Sequence, residues 1–278
     1  MNMDWGLLVS YWPFALAMGV TGMVSGVAAG LLGIGGGAVI VPALANSLLL
    51  MGYDPDIVQH VAVGTSLAII IPTGIMSARA HYKRGALDVA VLRLWVPFVV
   101  AGTFVGGLMA GLYSGNALRI IFALLSFFIA ANIVFSFQTR LMGHLKDAAW
   151  VHRLSAFIVG YISALIGTGG GSLTVPTLVA FGRTMHNAVG TSAAIGVAIA
   201  VSGSTGFLIA GWGVADLPPA SLGFINLPAF ALVGGLAAIF APFGAALAHS
   251  MDQKTLKYVF AAFLVAVGLN MLWKVVFG

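Results

Sequence analysis

The sequence predicts an all-α polytopic membrane protein of two homologous halves. Each half is a glycine-broken helical hairpin followed by three spanning helices, and the halves are arranged as inverted repeats. Three observations predict this. First, 60% of the 278 residues are hydrophobic and only 7% are charged, against about 25% charged in an ordinary soluble domain. So few charges cannot coat a water-facing surface, and the solvent that suits such a chain is lipid. Second, two blocks of unusual sequence recur in the same order. Third, the basic residues gather on one side of the apolar segments.

Ten apolar stretches are read along the chain, at 8–33, 38–52, 58–79, 91–113, 117–138, 153–167, 172–182, 187–211, 225–249 and 255–276. The first Lys or Arg is Arg79, so the start lacks the basic region of a cleavable signal and is expected to belong to the first membrane segment. Several stretches are long enough to cross about 30 Å of hydrocarbon. Those at 38–52, 153–167 and 172–182 are shorter and flank glycine runs, which reads as half-helices or re-entrant arms meeting inside the membrane. Trp5, Trp12, Trp150, Trp212 and Trp273 stand near segment ends, where interfacial anchors stand.

The repetition divides the chain. Gly26, Gly33, Gly35, Gly36, Gly37 and Pro42 fall at one offset on Gly160, Gly167, Gly169, Gly170, Gly171 and Pro176. His60 to Ser66 (HVAVGTS) matches His186 to Ser192 (HNAVGTS), Leu118 to Ala123 resembles Leu256 to Ala261, and Asn132 falls on Asn270. Four matches in one order indicate duplication. The predicted units are an N-terminal transmembrane repeat at 1–138, a polar cytoplasmic linker at 139–152 and a C-terminal transmembrane repeat at 153–278.

Alternating the segments puts Arg79, Lys83, Arg84, Arg93, Arg140, Lys146, Arg153, Arg183, Lys254 and Lys257 on one side. Only Arg119 and Lys274 fall on the other. The positive-inside rule makes the basic side cytoplasmic and both termini external. Each half then has an odd number of net crossings, so the repeats are inverted, an architecture that secondary transporters combine with broken helices and a midplane site. Merging each glycine-flanking pair into one broken span gives eight crossings and parallel halves; it splits the basic loops less cleanly and ranks second.

The candidate binding residues follow from where polar groups meet breaks in the helices. Gly35, Gly36 and Gly37, with Gly169, Gly170 and Gly171, permit unwound backbone, which membrane depth tolerates only beside protein or a wet cavity. The segments after them start with partial positive charge, suited to an anion. Tight packing through small residues is the other use of such glycines. Thr65, Ser66, Thr191 and Ser192 offer hydroxyl donors, or bond their own helices. His60 and His186 can donate to an anion, or sit at the interface. Asn132 and Asn270 suit helix–helix contacts. The Arg79–Arg84 cluster reads as a topology anchor at lipid headgroups, with collection of anions at a cytoplasmic mouth as the other reading.

What is missing narrows the class. There is no Cys and no Glu, and every Asp falls in a loop or at a segment end, so the buried carboxylate that cation and proton carriers use is not found. No Walker, zinc or nucleophile-elbow motif occurs. No catalytic residue, no metal ligand and no cofactor is therefore expected, and the chain is not expected to be an enzyme. The thin spread of basic residues speaks against nucleic acid despite a net charge of +5. The expected partners are a small anionic substrate and the lipid bilayer; a homo-oligomer stays open.

The paired stretches GLLGIGGGAVIVP with HVAVGTS, and ALIGTGGGSLTVP with HNAVGTS, resemble the TauE/SafE sulfite-exporter family from about Ser10 to Trp273. The resemblance implies a multi-pass permease of the bacterial inner membrane that exports or takes up a small anion. Sulfite, an organosulfonate or a related sulfur oxyanion is the expected cargo, moved by alternating access between the repeats. A passive anion channel and a carrier of a non-sulfur organic anion are the alternatives.

Overall fold

The computed structural model describes residues 5–32, 36–135, 145, 147–250 and 253–277. Among them are ten helices. The first half holds α1 (Trp5–Leu32), α2 (Gly37–Leu50), α3 (Pro55–Lys83), α4 (Val89–Ala110) and α5 (Gly115–Phe135). The second holds α6 (Ala149–Ile166), α7 (Gly171–Ala180), α8 (Met185–Ala210), α9 (Leu227–Ser250) and α10 (Gln253–Phe277). A two-residue hairpin, β1 (Ser221–Leu222) paired with β2 (Ile225–Asn226), lies between α8 and α9.

Polar caps start the central helices where the loops end. Asp54 accepts the Asp56 N–H at 2.8 Å ahead of α3, with Pro55 in the first position. Asp88 accepts the Val91 N–H at 3.1 Å ahead of α4, and Thr184 accepts the Asn187 N–H at 3.3 Å ahead of α8. Each satisfies an amide that the first turn leaves without an intrahelical partner. Among the described residues six helical stretches are long and apolar enough to cross a membrane: Pro55–Lys83, Val89–Ala110, Gly115–Phe135, Ala149–Ile166, Met185–Ala210 and Tyr258–Phe277. Large apolar side chains such as Leu124, Phe128, Ile239 and Phe243 point outward, as lipid-facing residues do.

One arm differs from the sequence expectation. The stretch at 153–167 was expected to be too short to cross, yet α6 starts at Ala149 and has 18 residues. The turn added at its start contains His152, which looks polar in sequence. It is buried by a hydrogen bond from Trp95 Nε1 to His152 Nδ1 at 2.9 Å and by stacking on Phe181 at 3.7 Å between centroids. The helix therefore invades the end of the stretch read as the linker at 139–152.

Glycine contacts give the relative direction of packed helices. Gly64 faces Phe207 and Gly74 faces Val197, so α3 and α8 are antiparallel at the centre. Gly107 faces Gly206 and Gly111 faces Ala210, so α4 runs with α8. Gly102 faces Phe157 and Gly106 faces Tyr161, so α6 runs with α4. Gly22 faces Val233 and Gly26 faces Ala237, so α1 runs with α9. Ile129 and Ala130 pack on Phe260 and Ala261 while Gly268 meets Ala123, so α5 and α10 are antiparallel. Small residues at these seams let backbones approach closely, which is how helices associate in lipid without a hydrophobic drive between them.

Candidate functional site

The short helices α2 and α7 start deep in the interior. Gly36 precedes α2 with φ 71°, a left-handed conformation that a side chain would strain. Gly167 ends α6 with φ 66°. The two breaks touch: a Cβ on Gly37 would collide with the Gly167 carbonyl and stand 3.1 Å from Thr168 Cα and 3.2 Å from Ser66 Oγ. From this meeting point α2 runs to the loop that begins α3. α7 runs to the loop beside Leu145, whose N–H donates to Ala180 O at 3.2 Å. Pro42 and Pro176 sit inside the two short helices.

Of the residues expected from sequence, Gly36, Gly37, Gly169, Gly170 and Gly171 lie at this junction, while Gly35 falls outside the described residues. Ser66 is buried there and donates to Gly167 O at 2.8 Å. Ser192, its counterpart on α8, is buried with no hydrogen-bond partner among the described residues. It lies one helical turn before Gly196, which packs against Gly169 and Gly170.

Thr65 and Thr191 serve a different contact. Thr65 Oγ1 accepts the Asn226 N–H at 2.9 Å, and Thr191 Oγ1 accepts the Asp88 N–H at 2.9 Å. Asn226 in turn accepts the Ala229 N–H at 3.0 Å at the start of α9, as Asp88 does for Val91 at the start of α4. Each half thus holds the helix cap of the other with an equivalent threonine. Reciprocal contacts of this kind are what a two-fold relation produces.

The two histidines part company. His60 is buried, with Nδ1 2.6 Å from Asp56 O, Nε2 2.9 Å from Ala110 O, and its ring 4.9 Å from that of Phe224. It ties the end of α4 to the first turn of α3, away from the breaks. His186 is exposed at the opposite end of the bundle, beside the start of α8. Arg119, one of the two basic residues that the sequence places on the external side, is 2% exposed and donates to Pro55 O at 2.7 Å and Asn116 Oδ1 at 2.9 Å.

Sequence reasoning passed over four polar residues in the interior. Thr168 and Ser172 have hydroxyls 3.4 Å apart in the second break. Thr174 is fully buried without a partner, and its Oγ1 is 2.8 Å from the place of a Cβ on Gly170. Gln59 on α3 is fully buried with neither amide atom paired. The signal for the first three was available, since the matched positions of the first break are Ile34, Ala38 and Ile40. Among the described residues no group of His, Cys, Asp or Glu could hold a metal ion.

A family model described as "Sulfite exporter TauE/SafE" matches residues 12–271. A Haemophilus influenzae protein named "Probable membrane transporter protein" is 34% identical over 261 residues, covering 94% of this chain and 99% of that protein. "Probable membrane transporter protein YunE" of Bacillus subtilis is 28% identical over 278 residues, covering 93% and 97%. A similarly named protein of Methanocaldococcus jannaschii is 25% identical over 260 residues, covering 91% and 93%. No solved structure matches the chain significantly.

Proposed function

The chain belongs to the TauE/SafE sulfite-exporter family of membrane transporters, and from that premise we propose that it carries a small sulfur oxyanion, sulfite or an organosulfonate, across the bacterial inner membrane. The site is the junction of the two breaks, lined by Gly36, Gly37, Gly169, Gly170, Gly171, Ser66 and Ser192. One observation carries this reading: α2 begins in the interior against the Gly167–Thr168 stretch that joins α6 to α7, and the two short helices leave this junction toward opposite ends of the bundle. Helix N-termini carry partial positive charge and attract anions. Among the described residues the region around these N-termini holds no carboxylate, so an anion is favoured over a cation.

The halves are read as inverted repeats that rock around this site. The antiparallel pairing of α3 with α8 and of α5 with α10 supports that reading, since each pair consists of equivalent helices. The reciprocal threonine caps support it too, since they give each half the same hold on the other. Alternating access then needs only a change in how the halves lean on one another.

Purified protein in vesicles loaded with unlabelled sulfite tests this. Labelled sulfite outside should accumulate by counterflow, saturate with concentration, and be competed by organosulfonates more than by chloride. Flux that rises linearly with sulfite and shows no counterflow would exclude a carrier, and no flux of any anion would remove the reading altogether.

A further inference from the structure

We propose that the hydroxyls selecting the carried anion come from one half only: Thr168, Ser172 and Thr174 of the second break, with Ser192 beside them, hold its oxygens. The proposal rests on the transport-site reading above and names the specificity-determining residues within it.

The backbone of the second break has already used several of its amides. Gly171 N–H turns back on Gly169 O, and the N–H groups of Leu173 and Thr174 close on Gly170 O at 3.2 and 2.6 Å. The glycines shape the break, and the hydroxyls around it are the adaptable donors left. Thr174 Oγ1 and Ser192 Oγ are both buried and have no partner among the described residues. A buried hydroxyl without a partner keeps the full cost of its lost hydration, so an idle pair is a standing penalty that a ligand with acceptor oxygens removes. Thr174 approaches Gly170 directly, and Ser192 stands one turn before Gly196, which packs on Gly169 and Gly170. Thr168 and Ser172, 3.4 Å apart, hold each other weakly enough for either to turn to a better acceptor.

The first break offers no such set. In register stand Ile34, Ala38 and Ile40. Ala38 and Ile40 are buried apolar residues, so this side provides wall and shape. The described neighbours of the junction, including Ile70, Gly196 and Ile199, are uncharged. An uncharged donor set distinguishes anions by the number and placement of their oxygens, and a halide has no separate oxygens to share among four hydroxyls. The ligand class is therefore a compact oxyanion with several acceptor oxygens.

The test is sulfite counterflow by the full chain in vesicles, with KM read separately from maximal rate. Thr168→Val, Ser172→Ala and Thr174→Val should each raise the sulfite KM about 10-fold or more, since a hydrogen bond to a charged group is worth about 1.5–3 kcal/mol. They should also narrow the preference for sulfite over chloride. Thr174→Ser, which keeps the hydroxyl, should restore KM. Thr177→Val should leave KM unchanged, because that hydroxyl already donates to Leu173 O at 2.7 Å. If Thr174→Val does not purify as a folded species, Thr168→Val and Ser172→Ala decide. Wild-type protein that carries sulfite, together with folded hydroxyl-less variants whose KM stays within about twofold, would overturn the one-sided site and leave the transport reading standing. Wild-type protein that carries no anion would overturn both, so the two failures are distinguishable.

Discussion

The first break reads Ile34, Ala38 and Ile40 where the second reads Thr168, Ser172 and Thr174, while the glycines and the prolines around them coincide. Duplication has kept the skeleton and let the lining diverge. The glycines repeat because two backbones must touch at the junction: Gly37 stands against the Gly167 carbonyl with no room for a side chain. The lining is free of that demand, and one side has become polar. The same division recurs at the ends of the halves. His152 on α6 is clasped by Trp95 and by Asp147, its Nε2 2.7 Å from Oδ1, whereas its counterpart on α1 is the buried Met18. What the duplicated fold requires is shared, and what function or local docking requires is not.

The largest effect should come where the breaks touch. Gly37→Ala sets a Cβ against backbone of the other half, which cannot move independently, and should lower stability by about 3 kcal/mol. Gly170→Ala meets only the tips of Ile199 and Thr174, both at 2.8 Å, which can shift, so about 1 kcal/mol is expected. Melting temperatures of the two variants in detergent should differ in that order; equal losses would mean that the breaks are not in the intimate contact described.

The reciprocal caps come next. Thr65→Val strands the buried Asn226 N–H and Thr191→Val the half-buried Asp88 N–H, at about 1–3 kcal/mol for the first and no more than that for the second. Two-fold equivalence predicts similar drops in melting temperature and little change in the KM for transport. Strongly unequal drops would break the symmetry argument, and a rise in KM from either variant would return that threonine to the binding site.

The smallest effect belongs to the one-sided clasp. The hydrogen bond from His152 holds the Asp147 carboxyl below the usual carboxylate range, more than offsetting desolvation. A carboxylate with a depressed folded-state pKa adds stability above its unfolded-state pKa and loses it as the pH falls through the folded-state value. Asp147 is exposed, so the effect is slight. Melting temperature followed through the acid range should fall less steeply in Asp147→Asn than in wild type; superimposable curves would show that the clasp contributes nothing.

The sequence carried the architecture further than the chemistry. Ten apolar stretches and the two glycine runs correspond to the ten described helices and their breaks, because hydropathy and glycine act locally. The expected donors fared unevenly. Ser66 lies at the junction, but Thr65 beside it points to Asn226, 161 positions later. Adjacent helical residues differ by about 100° in direction, and only the packed neighbours say which faces the interior. His60 and His186 hold matched positions in sequence, yet one is buried among carbonyls and the other is exposed. Their surroundings come from elements that are not duplicated alike. Thr168, Ser172 and Thr174 were missed since hydroxyls on a helix ordinarily bond their own backbone, and only burial without partners sets Thr174 and Ser192 apart.

Composition, periodicity and internal repetition by themselves determined that this chain lives in lipid, that it is helical, that it is doubled and where each half is broken. These properties sum over many residues and survive any particular packing. Only the tertiary structure decided that the breaks touch, that each half caps the other, and which hydroxyls are left idle. Those outcomes depend on pairs more than 100 positions apart, such as Ser66 with Gly167 and Thr191 with Asp88. Their contact is set by how whole helices pack, which no stretch of local sequence encodes.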